Sequence, residues 1–192
     1  MELDTETVEL VGDETTENLA RAVVFAAVTA ATAAVEIQSP LAPNIPFTLQ
    51  TLWVLLAGIV LGPVWGGTAF GLYVLTGLAG LPVFNDGGGL NYIFSDSGGY
   101  LVGFVAAAAL VGLVAHGTGD LRDPTEIPVW RLAVAIAVGT VVTWFAGGLW
   151  LVVGGYLGVS KTLSLTATFV PGAVLKGAVA IGIVRSEALV AR

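Results

Sequence analysis

The sequence predicts an all-α membrane protein: six transmembrane helices in a single domain, with both termini cytoplasmic. Three observations carry this prediction. Of the 192 residues, 56% are hydrophobic and 11% charged, whereas soluble domains carry about 25% charged residues; the mean hydropathy is +0.90. Apolar runs recur at 19–37, 49–64, 65–81, 99–115, 129–155 and 162–184, most of them near the ~20 residues that span a bilayer. With the N-terminus inside, Arg21, Arg122, Arg131, Arg185 and Arg192 all fall at inner ends or loops, and Lys161 alone falls outside. That sorting obeys the positive-inside rule, and an odd number of spans would spoil it.

The elements follow in order. Residues 1–18 hold Glu2, Asp4, Glu6, Glu9, Asp13, Glu14 and Glu17, half of the chain's 14 acids, without apolar periodicity. They are expected to form an acidic, disordered cytoplasmic tail, and their composition does not fit a cleavable signal peptide. The membrane domain is expected over 19–185 and a short cytoplasmic tail over 186–192. In the first run Ala26, Ala30 and Ala34 share one face, flanked by Ala27 and Ala31. Small residues let helices approach closely in lipid, so this face suits either internal packing or docking of another membrane subunit.

Runs two and three are joined through 62–67, Gly-Pro-Val-Trp-Gly-Gly, and read as a tight helical hairpin. Runs shorter than a full span suggest broken or tilted helices. Gly58-Gly62-Gly66, Gly67-Gly71 and Gly99-Gly103 continue the small-residue pattern. No internal repeat is visible, which disfavours an inverted-repeat transporter. Two outer segments are richer than connections require. Segment 38–50 has three prolines that keep it out of helix. Segment 82–97 has glycines, asparagines and aspartates but no cation; with Phe84, Tyr92 and Phe94, and Tyr100 just after it, it reads as a lid.

Lys176 is the most informative residue, because it interrupts the apolar run 162–184. An ammonium at bilayer depth costs roughly 3 kcal/mol on insertion scales, so it must face a protein interior or wet cavity and meet a partner. Pro171-Gly172 lies just over one turn earlier and is expected to loosen the helix, freeing polar backbone groups toward that cavity. Asn85, Asp86, Asn91, Ser95, Asp96 and Ser97 offer polar groups from the lid, and Trp144 on the fifth helix offers a wall. The mixture suits a small, largely apolar molecule with a few polar groups and one carboxylate.

The catalytic inventory is thin, and no enzyme is expected. Without cysteine there is no disulfide or thiolate chemistry. His116 is the single histidine, expected at an inner helix end in a solvated role; neither a zinc set nor a Ser-His-Asp triad can be built around it. In 155–162, Gly-Tyr-Leu-Gly-Val-Ser-Lys-Thr, serine stands where a phosphate loop needs glycine. No metal, cofactor, bound ATP or nucleic-acid partner is expected, so active transport would draw energy from a partner protein.

Four motifs then carry a family resemblance: Ile45-Pro-Phe-Thr-Leu-Gln-Thr51, Gly80-Leu-Pro-Val-Phe84, Gly98-Gly-Tyr-Leu101 with Phe104, and Pro171-Gly-Ala-Val-Leu-Lys176. In order and spacing the chain resembles the BioY family, the biotin-specific substrate-capture (S) components of energy-coupling-factor (ECF) transporters, across 20–184. The resemblance implies biotin capture and uptake at the cell membrane, with a site near the outer face closed by the loops. It also implies partners: a transmembrane coupling protein, which the Ala26, Ala30, Ala34 face would dock, and two ATPase subunits that alone use ATP. The substrate-binding set expected from residues and resemblance together is Lys176, Asn91, Asp96, Tyr100, Gln50, Phe84 and Trp144. Two positions depart from the family. Its final motif has aspartate where this chain has Ala173, and its Gly-Pro-Thr before Gly-Gly-Tyr is here Ser95-Asp96-Ser97. These changes fit either a compensating anion at Asp96 or an S component for a different vitamin or vitamin precursor.

Overall fold

Apolar residues on every side of a helix leave no solvent face, and most of this chain is built that way. The computed structural model describes residues 12–186 except 40, 41 and 86. Expectations for 1–11, 187–192 and Asp86 lie outside these. In chain order the elements are α1 (Asp13–Thr32), β1 (Glu36–Ser39), β2 (Ala42–Thr48), α2 (Gln50–Leu78), α3 (Leu90–Ile93), α4 (Gly98–His116), α5 (Val129–Val153) and α6 (Val159–Arg185). Four of these helices, α2, α4, α5 and α6, are long and apolar enough to cross a membrane. Val141, Phe145, Val153, Leu163 and Val174 lie exposed along α5 and α6, as suits surfaces that meet lipid.

The element α2 is two arms, 50–61 and 63–78, meeting at Gly62, whose φ of 77° and ψ of −174° are non-helical. Only glycine adopts that conformation readily, and Pro63 beside it has no N–H to continue the first arm. The arms fold back on each other. Gln50 and Tyr73, which an unbroken helix would hold roughly 34 Å apart, are hydrogen-bonded at 2.5 Å. A Cβ built on Gly66 would lie 3.0 Å from Gly58 Cα, so the small residues of the turn are what permit so close a reversal. Helix α4 lies between α2 and α5. Gly112 abuts the Gly62-Pro63 backbone and Gly103 abuts Ala146, which is the small-residue approach expected in lipid.

Several sequence expectations change. The membrane body is all-helical as expected, but the outer segment adds a hairpin that was not: β1 and β2 pair antiparallel, with Glu36 opposite Thr48 and Ile37 opposite Phe47. Prolines 43 and 46 sit in β2, tolerated because a two-stranded ribbon leaves one edge of each strand unpaired. The first apolar run ends as a helix at Thr32 and finishes as strand, while α1 begins at Asp13, inside the segment expected to be tail. His116 is buried, not solvated. Its Nδ1 accepts from Arg122 N–H at 3.0 Å, so its Nε2–H donates to the Ile59 carbonyl at 2.8 Å. Finally, α6 runs through Pro171 without non-helical residues, so Pro171-Gly172 is no break.

At the end that carries the arginines, Arg131 Nε donates to the Val114 carbonyl at 2.7 Å and Arg185 to the Ile127 carbonyl at 2.5 Å. A cation beside the last carbonyls of α4 also opposes that helix's dipole favourably.

Candidate functional site

A cavity opens among the β1–β2 hairpin, the first arm of α2, the lid, α4, α5 and α6. Its polar groups come from Thr48, Gln50, Thr51, Asn85, Ser97, Tyr100, Thr140, Thr143 and Lys176; Phe47, Leu55, Tyr92, Leu101, Phe104, Trp144 and Phe169 supply apolar wall.

Lys176 is buried, with 6% of its surface exposed. Its Nζ donates to the Thr48 carbonyl and the Thr51 hydroxyl and stands 3.5 Å from the centre of the Phe47 ring. An ammonium has three donors, so two are held by the junction between β2 and α2. The ring face adds a favourable charge–quadrupole contact. Among the described residues no carboxylate lies within ion-pair distance of Lys176. The part played by Gly172 is steric. A Cβ there would lie 2.1 Å from Phe47 Cζ, so the glycine makes room for the ring that covers the lysine.

Tyr100 brings the second polar feature. Its hydroxyl is buried without a hydrogen-bond partner among the described residues, and the residue lines the cavity. Leaving a buried donor unmatched costs about 1–3 kcal/mol, which a bound acceptor would recover. Gly147 sets the ring's position, because a Cβ there would come within 2.3 Å of it.

The lid is fastened at several points. Phe84 is buried and rests on Gly77, where a Cβ would lie 2.1 Å from its Cζ, and its ring meets Tyr73 and Tyr92. Asn85 Nδ2 donates to the Glu36 carboxylate on the hairpin, joining the two outer segments. Trp150 Nε1 donates to the Ser95 carbonyl at 2.9 Å, and Tyr156 Oη to that of Phe94.

Of the expected substrate-binding residues, Lys176, Gln50, Tyr100 and Trp144 line this one cavity. Phe84 packs behind its wall, Asn91 is exposed on α3, and Asp96 lies beside the lining residue Ser97 rather than in the lining itself. Ala173 does line the cavity, one turn before Lys176, where a longer polar side chain would enter it. Thr48, Thr51 and Phe47 escaped sequence reasoning although all three lie in the first motif. The threonines flank Gln50, and a hydroxyl at the mouth of a helix is a common capping feature that gives no hint of a lysine more than a hundred residues away. Thr143 gave no signal either, since threonines within helices commonly bond their own backbone; its hydroxyl donates to the Gly139 carbonyl at 2.9 Å.

The BioY family model matches residues 5–191. The chain belongs to the BioY family. It is therefore an integral membrane protein of a transporter family. Among BioY relatives, the "Probable biotin transporter BioY" of Lysinibacillus sphaericus is 36% identical over 143 residues, 72% of this chain and 70% of that one. The "Biotin transporter BioY" of Thermotoga maritima is 42% identical over 102 residues, 53% and 56% of the two chains. The crystal structure of an S-component for biotin from an ECF-type ABC transporter aligns with a TM-score of 0.80 at 23% identity. It covers 92% of this chain and 93% of that one, a likeness of fold.

Proposed function

We propose that this BioY protein captures biotin at the outer face of the cell membrane, as the substrate-binding subunit of an ECF-type transporter. The observation that carries the reading is the cavity that joins a buried lysine to a buried tyrosine hydroxyl between aromatic walls, the lysine without a carboxylate and the hydroxyl without a hydrogen-bond partner among the described residues. Biotin has the matching chemistry: an apolar bicycle and chain, a ureido group and a carboxylate. Lys176 donates to the ureido carbonyl or the carboxylate, Tyr100 donates to a second acceptor, and Trp144 and Phe169 flank the rings. The lid and hairpin close above.

In this reading the two arms of α2 count as two spans and, with α1, α4, α5 and α6, make six, leaving both termini in the cytoplasm. A separate coupling protein and two ATPase subunits supply the energy. The docking face is that of Ala26, Ala30 and Ala34; Ala26 and Ala30 are half-buried against the core, whereas Ala27, Ala31 and Ala34 are exposed.

One observation favours a second reading, an S component for another vitamin or precursor. Ala173 sits in the cavity where the resemblance leads one to expect a carboxylate, and Asp96 is not in the lining. Equilibrium binding of radiolabelled biotin to the detergent-purified protein tests the choice. Saturable binding at one site per chain supports biotin. Binding that arises only after Ala173→Asp supports the altered ligand, and no binding to either form overturns the biotin assignment.

A further inference from the structure

Tyr73 is 1% exposed and is not part of the cavity lining, yet its hydroxyl is fully engaged. It donates to the Val83 carbonyl of the lid at 2.9 Å. Its single hydrogen is then spent, so it accepts from Gln50 Nε2 at 2.5 Å. That fixes the amide's orientation: Gln50 Oε1 faces Thr48 and accepts from its hydroxyl at 2.7 Å. Thr48 in turn presents its carbonyl to Lys176. A chain of four hydrogen bonds, bridged at Thr48 by that residue's own covalent frame, thus runs from the lid, through both arms of α2, to the cation in the cavity. Three of the four links are buried and the one to Val83 is part-buried; in such settings satisfied polar networks act as a unit and hold one geometry.

We propose that Tyr73 and Gln50 are positioning residues that couple lid closure to the placement of the Lys176 ammonium. Lid opening withdraws the Val83 carbonyl, frees the tyrosine hydrogen to seek another acceptor, and lets the amide and Thr48 relax together. A closed lid holds Thr48 where its carbonyl fixes the lysine. The inference rests on the reading of this cavity as the ligand site. It assigns Gln50 to holding that site rather than to touching ligand through its Oε1.

The chain has two lysines, Lys161 and Lys176, and Lys161 is exposed, which supplies an internal standard. Ligand-free purified wild type and Tyr73→Phe would be treated with an amine-acylating reagent, and modification of the two lysines followed by mass spectrometry. Phenylalanine keeps the ring contacts with Phe70 and Phe84 and removes the hydroxyl. The ratio of Lys176 to Lys161 modification should rise about fivefold, the equivalent of one neutral hydrogen bond. Gln50→Leu cuts the same chain at its middle and should give a similar rise, carrying the test if Tyr73→Phe fails to fold. The double variant should rise no further, whereas general loosening would add the two effects. An unchanged ratio in the single variants, or additivity in the double, overturns the coupling. No ligand enters this measurement, so a wild type that fails to bind biotin would defeat the proposed function separately.

Discussion

A lone ammonium in an apolar helix must find oxygen or a ring, and Lys176 finds both, in residues 125 and 128 positions away and in the ring beside them. That it would meet partners in a cavity was readable from its setting alone, because the cost of burying an unpaired charge leaves little choice. Which partners it meets was not, since nothing local to 171–176 specifies Phe47, Thr48 or Thr51. Gly172 shows the converse error. Read locally, Pro-Gly loosens a helix; in the fold, the missing Cβ is volume taken by Phe47. Tyr100 offers the cleaner single-residue test, because its hydroxyl has no partner to lose among the described residues. Tyr100→Phe should fold as the wild type does and weaken biotin binding about fivefold, the worth of one neutral hydrogen bond. Competition binding measures this, and an unchanged affinity would mean that the hydroxyl does not address the ligand.

The helical hairpin was readable because Gly62-Pro63 combines a residue that tolerates a positive φ with one that cannot continue a helix. The β-hairpin was not. Its first strand hides in the tail of an apolar run, and its prolines argued for irregular chain when they needed only a free ribbon edge. His116 misled for a related reason: a polar residue at a helix end reads as solvated until the Ile59 carbonyl and the Arg122 N–H close around it. Gly62 carries the prediction at this scale. Gly62→Ala forces a side chain into a φ of 77° and toward Leu121, whose Cδ2 a Cβ would approach to 2.2 Å. Backbone strain of this kind costs about 1–3 kcal/mol. The melting temperature of the purified variant should fall accordingly, and an unshifted melt would show that the turn carries no such strain.

For the whole molecule, hydropathy gave the class, and the order of four motifs gave the family that the comparisons establish. What composition cannot carry is convergence. Gln50, Tyr100, Trp144 and Lys176 come from four helices, and helix packing alone brings them to one cavity. The six spans proposed above would make a definite topology. Single cysteines replacing Asp13 and Asp120 should be protected from impermeant thiol reagents in intact cells, while one replacing Asn91 should react; labelling of either of the first two from outside would refute the count. The central claim is that a membrane-buried lysine holds biotin, and a paired binding isotherm tests it most directly. Radiolabelled biotin would be titrated against detergent-purified wild type and Lys176→Ala. Hydrogen bonds to charged groups contribute about 1.5–3 kcal/mol, so the variant should bind about 10- to 150-fold more weakly with its stoichiometry intact. Equal affinity in the two proteins would contradict the account.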